Sequence, residues 1–545
     1  MLIALMSLAA GLSACGPTSS SRSDATLPAR EADRWFGVDR AETFRAHVAR
    51  VASIAVAPDA GLARLGTTWA AELAAVERRY VEASSRDDVR LALQALANSL
   101  HNGHVFVRAE ALQGTESPVV AAITVRVEYE GNSVRYVVRA GGALPEGSQV
   151  LAVDGVAVES LERAHLAWFR GGNSREALRE DLARWVGLRT PQHEPSPRPG
   201  ERLTVRVRAA GGAETDFTLV WSTVLDDGPS CPPYAERCAP DADGDYVASP
   251  TFEALGACVY ATDDPQVRVV RYRSLWMPDA RDPVERACLD RKLGALSYRL
   301  RADDAARMGP RALLQRDQGE LLDHLARAGV RRVLFDVREN RGGDFDPVFF
   351  GAFTAGRYAQ PLKRFVYGSF FREDPARVLD ANVFVGLLDG EPLAEGAAAI
   401  ASFLRENPSS AASPPVPFYC QTRACRESEA TLQSLSNVVF RAAVLTGPQC
   451  FSACDDFVAM FRLNAIAPTL GLPTGAGDAP YTFDAPLPLA DGTAATMHLA
   501  TGVSFLPGAE STPLEAHPAP VDVPLPPSSG TRGRYLREAL ARVPW

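Results

Sequence analysis

Apolar positions recur along this chain with changing period, and the changes divide it. Across residues 35–100 the spacing is helical, most clearly where Val89, Leu93, Leu96 and Leu100 share one face behind the capping signal Ser85-Arg86-Asp87-Asp88. That helix is expected to stop at His101-Asn102-Gly103-His104, with Gly103 as a left-handed residue, before Val105-Phe106-Val107 reads as a strand. The period then shortens to two, predicting strands at 121–129, 134–139, 203–209 and 215–220. Residues 224–266, rich in Pro, Asp, Gly and Cys, read as a connecting loop. An α/β order follows, with a strand near 267–272, helices across 284–328 and a strongly apolar strand at 330–337. The stretch 370–426 reads as a surface insertion. A short apolar run at 442–445 meets a Gly447-Pro448 turn, and a helical pattern then sets Phe457, Met460 and Phe461 on one face.

Composition narrows the function. A chain of 545 residues with 46% apolar and 23% charged residues is globular and too long for one core. The net charge of -9 and the lack of a basic stripe exclude a nucleic-acid partner. Residues 2–12 are almost wholly apolar, the length of a signal-peptide apolar region, and no other stretch approaches the ~20 residues of a membrane span. Leu12-Ser13-Ala14-Cys15 resembles the lipobox of bacterial lipoproteins, which implies cleavage before Cys15 and lipidation of it. No Lys or Arg precedes the apolar stretch, so the true start is expected upstream of Met1. That resemblance places the protein in the bacterial cell envelope, as an outer-membrane lipoprotein facing the periplasm or the cell surface, with the lipid as its only membrane attachment. Setting Cys15 aside leaves eight of the nine cysteines, an even number that suits disulfides in an exported chain, although spacing does not assign the pairs. Zinc-type spacings are missing, so neither a metal nor a cofactor is expected.

Candidate chemistry centres on Ser452, at a strand-to-helix corner. Such a corner can present a hydroxyl beside helix N–H groups, as acyl transfer requires, but Ser452-x-x-Asp455 is also an ordinary capping box. A second feature follows the strand at 330–337: Asp336-x-Arg338-x-Asn340-x-Gly342-Gly343, whose adjacent glycines allow a tight turn with N–H groups aimed at a ligand. This run resembles the signature of tail-specific, C-terminal-processing serine peptidases, the family that includes tricorn core proteases, and Phe451-Ser452-Ala453 resembles that family's nucleophile motif.

The resemblance implies roles. Ser452 is the expected nucleophile, with backbone N–H groups of Ala453 and Gly343, or Gly342, as the oxyanion hole. One branch of the family uses a lysine base after the serine, but the two lysines here, Lys292 and Lys363, both precede it. The tricorn-like branch uses a histidine at a corner like Asn102-Gly103-His104, so His104 is the expected base, with His101 its nearest rival. Pro513-Leu514-Glu515 and the residues after it resemble the segment carrying the acid that orients the base, which points to Glu515. The run 144–158, from Gly147 through Val150 to the Asp154-Gly155 turn, resembles the core of a PDZ domain, which would bind peptide at Gly147 and Val150 by strand addition.

The expected architecture is multidomain α+β and α/β. It comprises a signal peptide (1–14), a tether (15–31), a helical region ending in the base histidine (32–115), a PDZ-like β domain (116–223), a connector (224–265), a crotonase/ClpP-like peptidase core (266–526) and a C-terminal helix or tail (527–545). The expected activity is hydrolysis of peptide bonds in a peptide or unfolded protein by a Ser-His-Glu acyl-enzyme mechanism. The rival is an inactive ligand-binding lipoprotein on the same fold, as in relatives such as interphotoreceptor retinoid-binding protein. Oligomeric state and cleavage preference are not legible.

Overall fold

A computed structural model describes residues 31–545 except 56–61, 63–66, 110–111, 113–118, 141, 143, 166–173, 190–196, 224–230, 232, 239–243, 247, 276–277, 279, 344–346, 355–357, 384–390, 419–439, 478, 515–516 and 532. Cys15 therefore lies outside the described residues, as do Glu515, Cys420 and Cys425.

A seven-stranded sheet organises the molecule. Its strand order is Phe252–Glu253, Ala257–Ala261, Val267–Tyr272, Arg332–Asp336, Arg441–Thr446, Thr469–Gly471 and Val523–Pro524. The first three strands pair antiparallel and the remainder run parallel. Strands buried on both faces must be apolar at consecutive positions, and these are. Val333, Phe335 and Val444 enter one cluster with Phe349, Phe457 and Phe461, while Leu334, Ala443 and Leu445 enter the opposite one under the C-terminal helix Tyr535–Arg542. The sheet begins at Phe252, inside the stretch read as connector, because Phe252 and Val259 bury against the same core.

The N-terminal helices Arg40–Ile54, Trp69–Glu82 and Arg86–Asn98 form a second layer, the last opened by the expected Ser85/Asp88 capping box. Their apolar faces pack on an antiparallel sheet ordered Phe106–Arg108, Ala494–Ala500, Tyr481–Pro488, Asn382–Val383. Phe370, Phe371 and Leu404 are buried in this same cluster. Described parts of the stretch read as a surface insertion thus belong to the core around the helices, and its Phe370-Phe371 pair was the signal for it. A third unit is a six-stranded antiparallel sheet built from 124–130, 133–140, 149–153, 156–157, 202–208 and 214–220, covered by the helix Arg175–Gly187.

Among the described residues, three disulfides join Cys231 to Cys288, Cys238 to Cys258 and Cys450 to Cys454. The first two tie the connector to the core sheet and the helix beside it.

Candidate active site

Parallel strands deliver loops to one edge of a sheet, at their carboxyl ends, where ligands of open α/β sheets bind. Two neighbours in this sheet, Arg332–Asp336 and Arg441–Thr446, deliver the glycine loop and the serine turn to that edge.

Ser452 immediately precedes the helix Ala453–Leu463, with φ 59° and ψ -132°. A non-glycine residue held there costs on the order of 1–3 kcal/mol, so its surroundings must enforce it. They do so with hydrogen bonds on either side. The Ser452 N–H donates to Gly477 O at 2.7 Å, and the Phe451 N–H donates to Asn340 O at 3.2 Å. The Ser452 side chain makes no capping bond to the helix. Its Oγ instead lies 2.9 Å from Nε2 of His104. The capping-box reading of Ser452 is therefore set aside.

His104 reaches the serine from the other sheet. The strand Phe106–Arg108, just after it, is registered on Ala494–Ala500 through the Phe106 and His498 pair. The backbone before the strand is shaped by the Asn102 side chain, which accepts the His104 N–H at 2.9 Å. The left-handed residue at this corner is His101, with φ 45°, and not Gly103. Gly103 is required for a different reason: a Cβ there would come within 2.2 Å of the Phe451 ring. Phe451 stacks on the His104 imidazole, and Gly477 is as close to the ring, since a Cβ there would meet it at 1.5 Å. His101 is buried among the helices, its Nε2 3.9 Å from Glu72, whose carboxyl is held below the usual range first by His101. It takes no part at the serine.

The glycine loop is built on Asn340, which is fully buried. Its Nδ2 donates to Tyr272 O at 2.9 Å, its Oδ1 accepts the Gly342 N–H at 2.8 Å, and its carbonyl accepts the Phe451 N–H. One side chain thereby locks the loop to the sheet while the backbone of the same residue locks the serine turn. Gly342 has φ 88°, and a Cβ on it would lie 2.7 Å from Ser452 Cβ and 3.0 Å from Ala453 N. The Gly342 N–H is already taken, whereas the N–H groups of Gly343 and Ala453 have no acceptor among the described residues.

Asp336 and Arg338 of the same motif lie behind the loop. Asp336 is buried, which raises its pKa, but Arg338 donating through Nε at 2.9 Å and Nη2 at 2.7 Å, together with the Tyr246 hydroxyl, holds it below the usual carboxylate range. The lysines are engaged elsewhere. Lys292 Nζ is 2.6 Å from Glu253 Oε1, and Lys363 is buried against the rings of Phe418 and Tyr481.

Beside the serine turn, a cavity of about 330 Å³ lies between the six-stranded unit and the core, with Val127, Glu180, Arg184, Arg338 and Gln449 in its wall. Arg184 donates to Gln449 Oε1 at 3.3 Å. Burial pushes the Glu180 carboxyl up to about 7, against the opposing pull of Arg184 and a hydrogen bond from Gln449.

Gly147 and Val150, singled out for peptide binding, lie inside that six-stranded sheet. The Gly147 N–H donates to Val138 O, and Val150 is buried in register with Val207. Neither presents an open strand edge; the outer strands are 124–130 and 214–220.

Asn340 and Phe451 stood out in the sequence only as motif residues, without their roles as hub and stacking ring, and the loop Thr474-Gly475-Ala476-Gly477 was not recognised there at all. The small residues of that loop, with glycines on both sides of Ala476, were the available signal.

No protein-family model and no curated protein matches the sequence. Solved structures do match. Mature CPAF superposes with a TM-score of 0.61 at 15% identity, covering 92% of this chain and 96% of its own. Mature CPAF complexed with lactacystin gives 0.59 at 14% identity over 92% and 96%. The photosystem II D1 C-terminal processing protease also matches, at a TM-score of 0.35 and 11% identity over 91% and 97%, a likeness too distant to argue from. Over nearly its whole length, the chain has the fold of mature CPAF.

Proposed function

We propose that this protein is a serine peptidase that hydrolyses peptide bonds through an acyl-enzyme, with Ser452 as nucleophile and His104 as base. The observation that carries this reading is the 2.9 Å approach of His104 Nε2 to Ser452 Oγ. A hydroxyl alone is a poor nucleophile at neutral pH, and a neutral imidazole at this distance can accept its proton as the oxygen attacks. The Ala453 and Gly343 N–H groups hold the oxyanion of the tetrahedral intermediate, where each donor typically contributes about 3 kcal/mol. The imidazolium then protonates the leaving amine, and a water activated by the same histidine releases the acyl group.

Glu515 is the acid that orients His104. Support comes from its described flanks: Ala519 donates to Thr474 Oγ1 at 2.7 Å, which ties this segment to the loop whose Gly477 O holds Ser452. The six-stranded unit is a PDZ-like module that delivers extended peptide to the neighbouring serine. The chain is exported and anchored through a lipid on Cys15, and Cys15→Ser should move it from the membrane fraction to the soluble one. Unchanged membrane association would reject the anchor.

The test of the activity is labelling with a fluorophosphonate. Wild type should be modified at Ser452 and should cleave an unfolded protein substrate, while Ser452→Ala should do neither. Cleavage at the wild-type rate by Ser452→Ala would overturn the reading.

A further inference from the structure

The turn that carries Ser452 is closed covalently. Cys450 and Cys454 form a disulfide across it, with their Cα atoms 5.2 Å apart and both side chains fully buried. Cys450 lies in the loop and Cys454 in the first turn of the helix, so the residues inside the ring are Phe451, Ser452 and Ala453. These are the residue stacked on the base, the nucleophile and an oxyanion donor. We propose that the Cys450–Cys454 disulfide is a positioning clamp that holds the nucleophile turn in its reactive conformation, so that its reduction disarms the enzyme without unfolding it. This rests on the peptidase reading above.

Two conformations of Ser452 compete. Ser452 is held at positive φ while its carbonyl already accepts from Asp455 N–H at 2.7 Å and Asp456 N–H at 3.3 Å. Rotation of Ser452 into the ordinary helical region would lengthen the helix by one residue, which helix propagation favours. That rotation would pull the Ser452 N–H from Gly477 O and swing its Oγ away from His104. The loop side of the ring resists it. Cys450 is fixed by its N–H to Gly447 O at 2.9 Å and by its carbonyl accepting from Gly475 N–H at 2.8 Å. Through the disulfide, those two bonds also restrain the first turn of the helix.

Loop size separates this role from ordinary stabilisation. In the chain-entropy account, a disulfide stabilises the whole fold more when it closes a longer loop. The Cys231–Cys288 and Cys238–Cys258 bridges span 57 and 20 positions, whereas Cys450–Cys454 spans 4. Of these three, Cys450–Cys454 closes the shortest loop and so contributes least to global stability, and it is the one placed around the nucleophile. The chemistry of release balances: a dithiol reductant gives two electrons and two protons, the S–S bond becomes two thiols, and the reagent leaves as its own disulfide.

The test compares wild type with the Cys450→Ala, Cys454→Ala double variant. The double variant should keep its circular dichroism and melt cooperatively, yet lose about 10- to 100-fold in kcat and in the rate of fluorophosphonate labelling at Ser452, with KM within about twofold. Dithiothreitol should lower wild-type kcat in step with the appearance of Cys450 and Cys454 thiols, mapped by mass spectrometry after quenching. Reoxidation should restore it. If the double variant fails to fold, this second arm decides: undiminished activity with both thiols formed overturns the clamp. A folded double variant with wild-type kcat and labelling overturns it as well, and leaves the peptidase reading intact. Wild type that takes no fluorophosphonate and cleaves nothing overturns both.

Discussion

The ring of Phe451 lies against the imidazole of His104, with 5.1 Å between centroids and 19° between planes. The residue before Ser452 therefore packs face to face with the imidazole that approaches its hydroxyl. The ring is also confined by Gly477, where no Cβ could be accommodated. Phe451→Leu keeps apolar bulk but removes the flat face, and should lower kcat by about tenfold or more with little change in KM. Gly477→Ala should do the same by displacing the ring. Steady-state kinetics on a fluorogenic peptide measures both, and wild-type kcat in either variant would refute this role for the ring.

The choice of histidine over lysine is checked by a set of variants. His104→Ala should lose several orders of magnitude in kcat, as removal of the base does in serine triads. Lys363→Met and Lys292→Met should retain wild-type kcat. Lys292→Met should nevertheless be less stable by about 3 kcal/mol, because it removes the cation paired with the buried Glu253 carboxylate. An active His104→Ala together with an inactive lysine variant would reverse the assignment.

Asn340 is predicted to couple stability to activity. Asn340→Ala leaves the buried Gly342 N–H and Tyr272 carbonyl without partners, for a cost of about 2–4 kcal/mol in denaturant unfolding. Asn340→Asp can still accept from Gly342 but sets a carboxylate oxygen against the Tyr272 carbonyl, so it should also be destabilised. Both should lose activity as the glycine loop shifts. Full stability and activity in Asn340→Ala would show that the loop is held by other means.

Glu180 gives a pH dependence with a defined sign. Its carboxyl is raised from 4.5 to about 7 in the folded protein by burial, with Arg184, Asp181, Glu339 and Gln449 around it. Between those values the folded chain binds more protons than the unfolded one, so this group's contribution to stability falls as pH rises through the window, by up to about 1.4 kcal/mol per unit. Glu180→Gln should flatten that slope. Chemical unfolding of both proteins from pH 4.5 to 7 measures it, and identical slopes would exclude Glu180 as the source.

Local pattern sufficed wherever one element satisfied itself. The Ser85 capping box, the period-two strands and the apolar core strands were all legible because capping, alternation and burial depend on near neighbours. Ser452, His104 and the Asn340-x-Gly342-Gly343 run stood out in the sequence through a resemblance. No local signal says that they meet.

Tertiary structure decided the rest. His104 and Ser452 are 348 positions apart, and their contact depends on two sheets placing a loop and a strand start at one edge. Gly103 looked like a helix stop and proved to be space for a ring from Phe451, while the left-handed turn fell on His101. That the Gly342 N–H is engaged while that of Gly343 has no acceptor among the described residues depends on a hydrogen bond to a side chain two residues away, which composition cannot reveal. Phe370 and Phe371 passed for part of a surface insertion because their partners lie in the N-terminal helices and a distant sheet. Residue types and short spacings determined which groups were available for chemistry. Long-range pairing of strands decided which of them touch, because contacts between distant segments are set by the packing of whole elements.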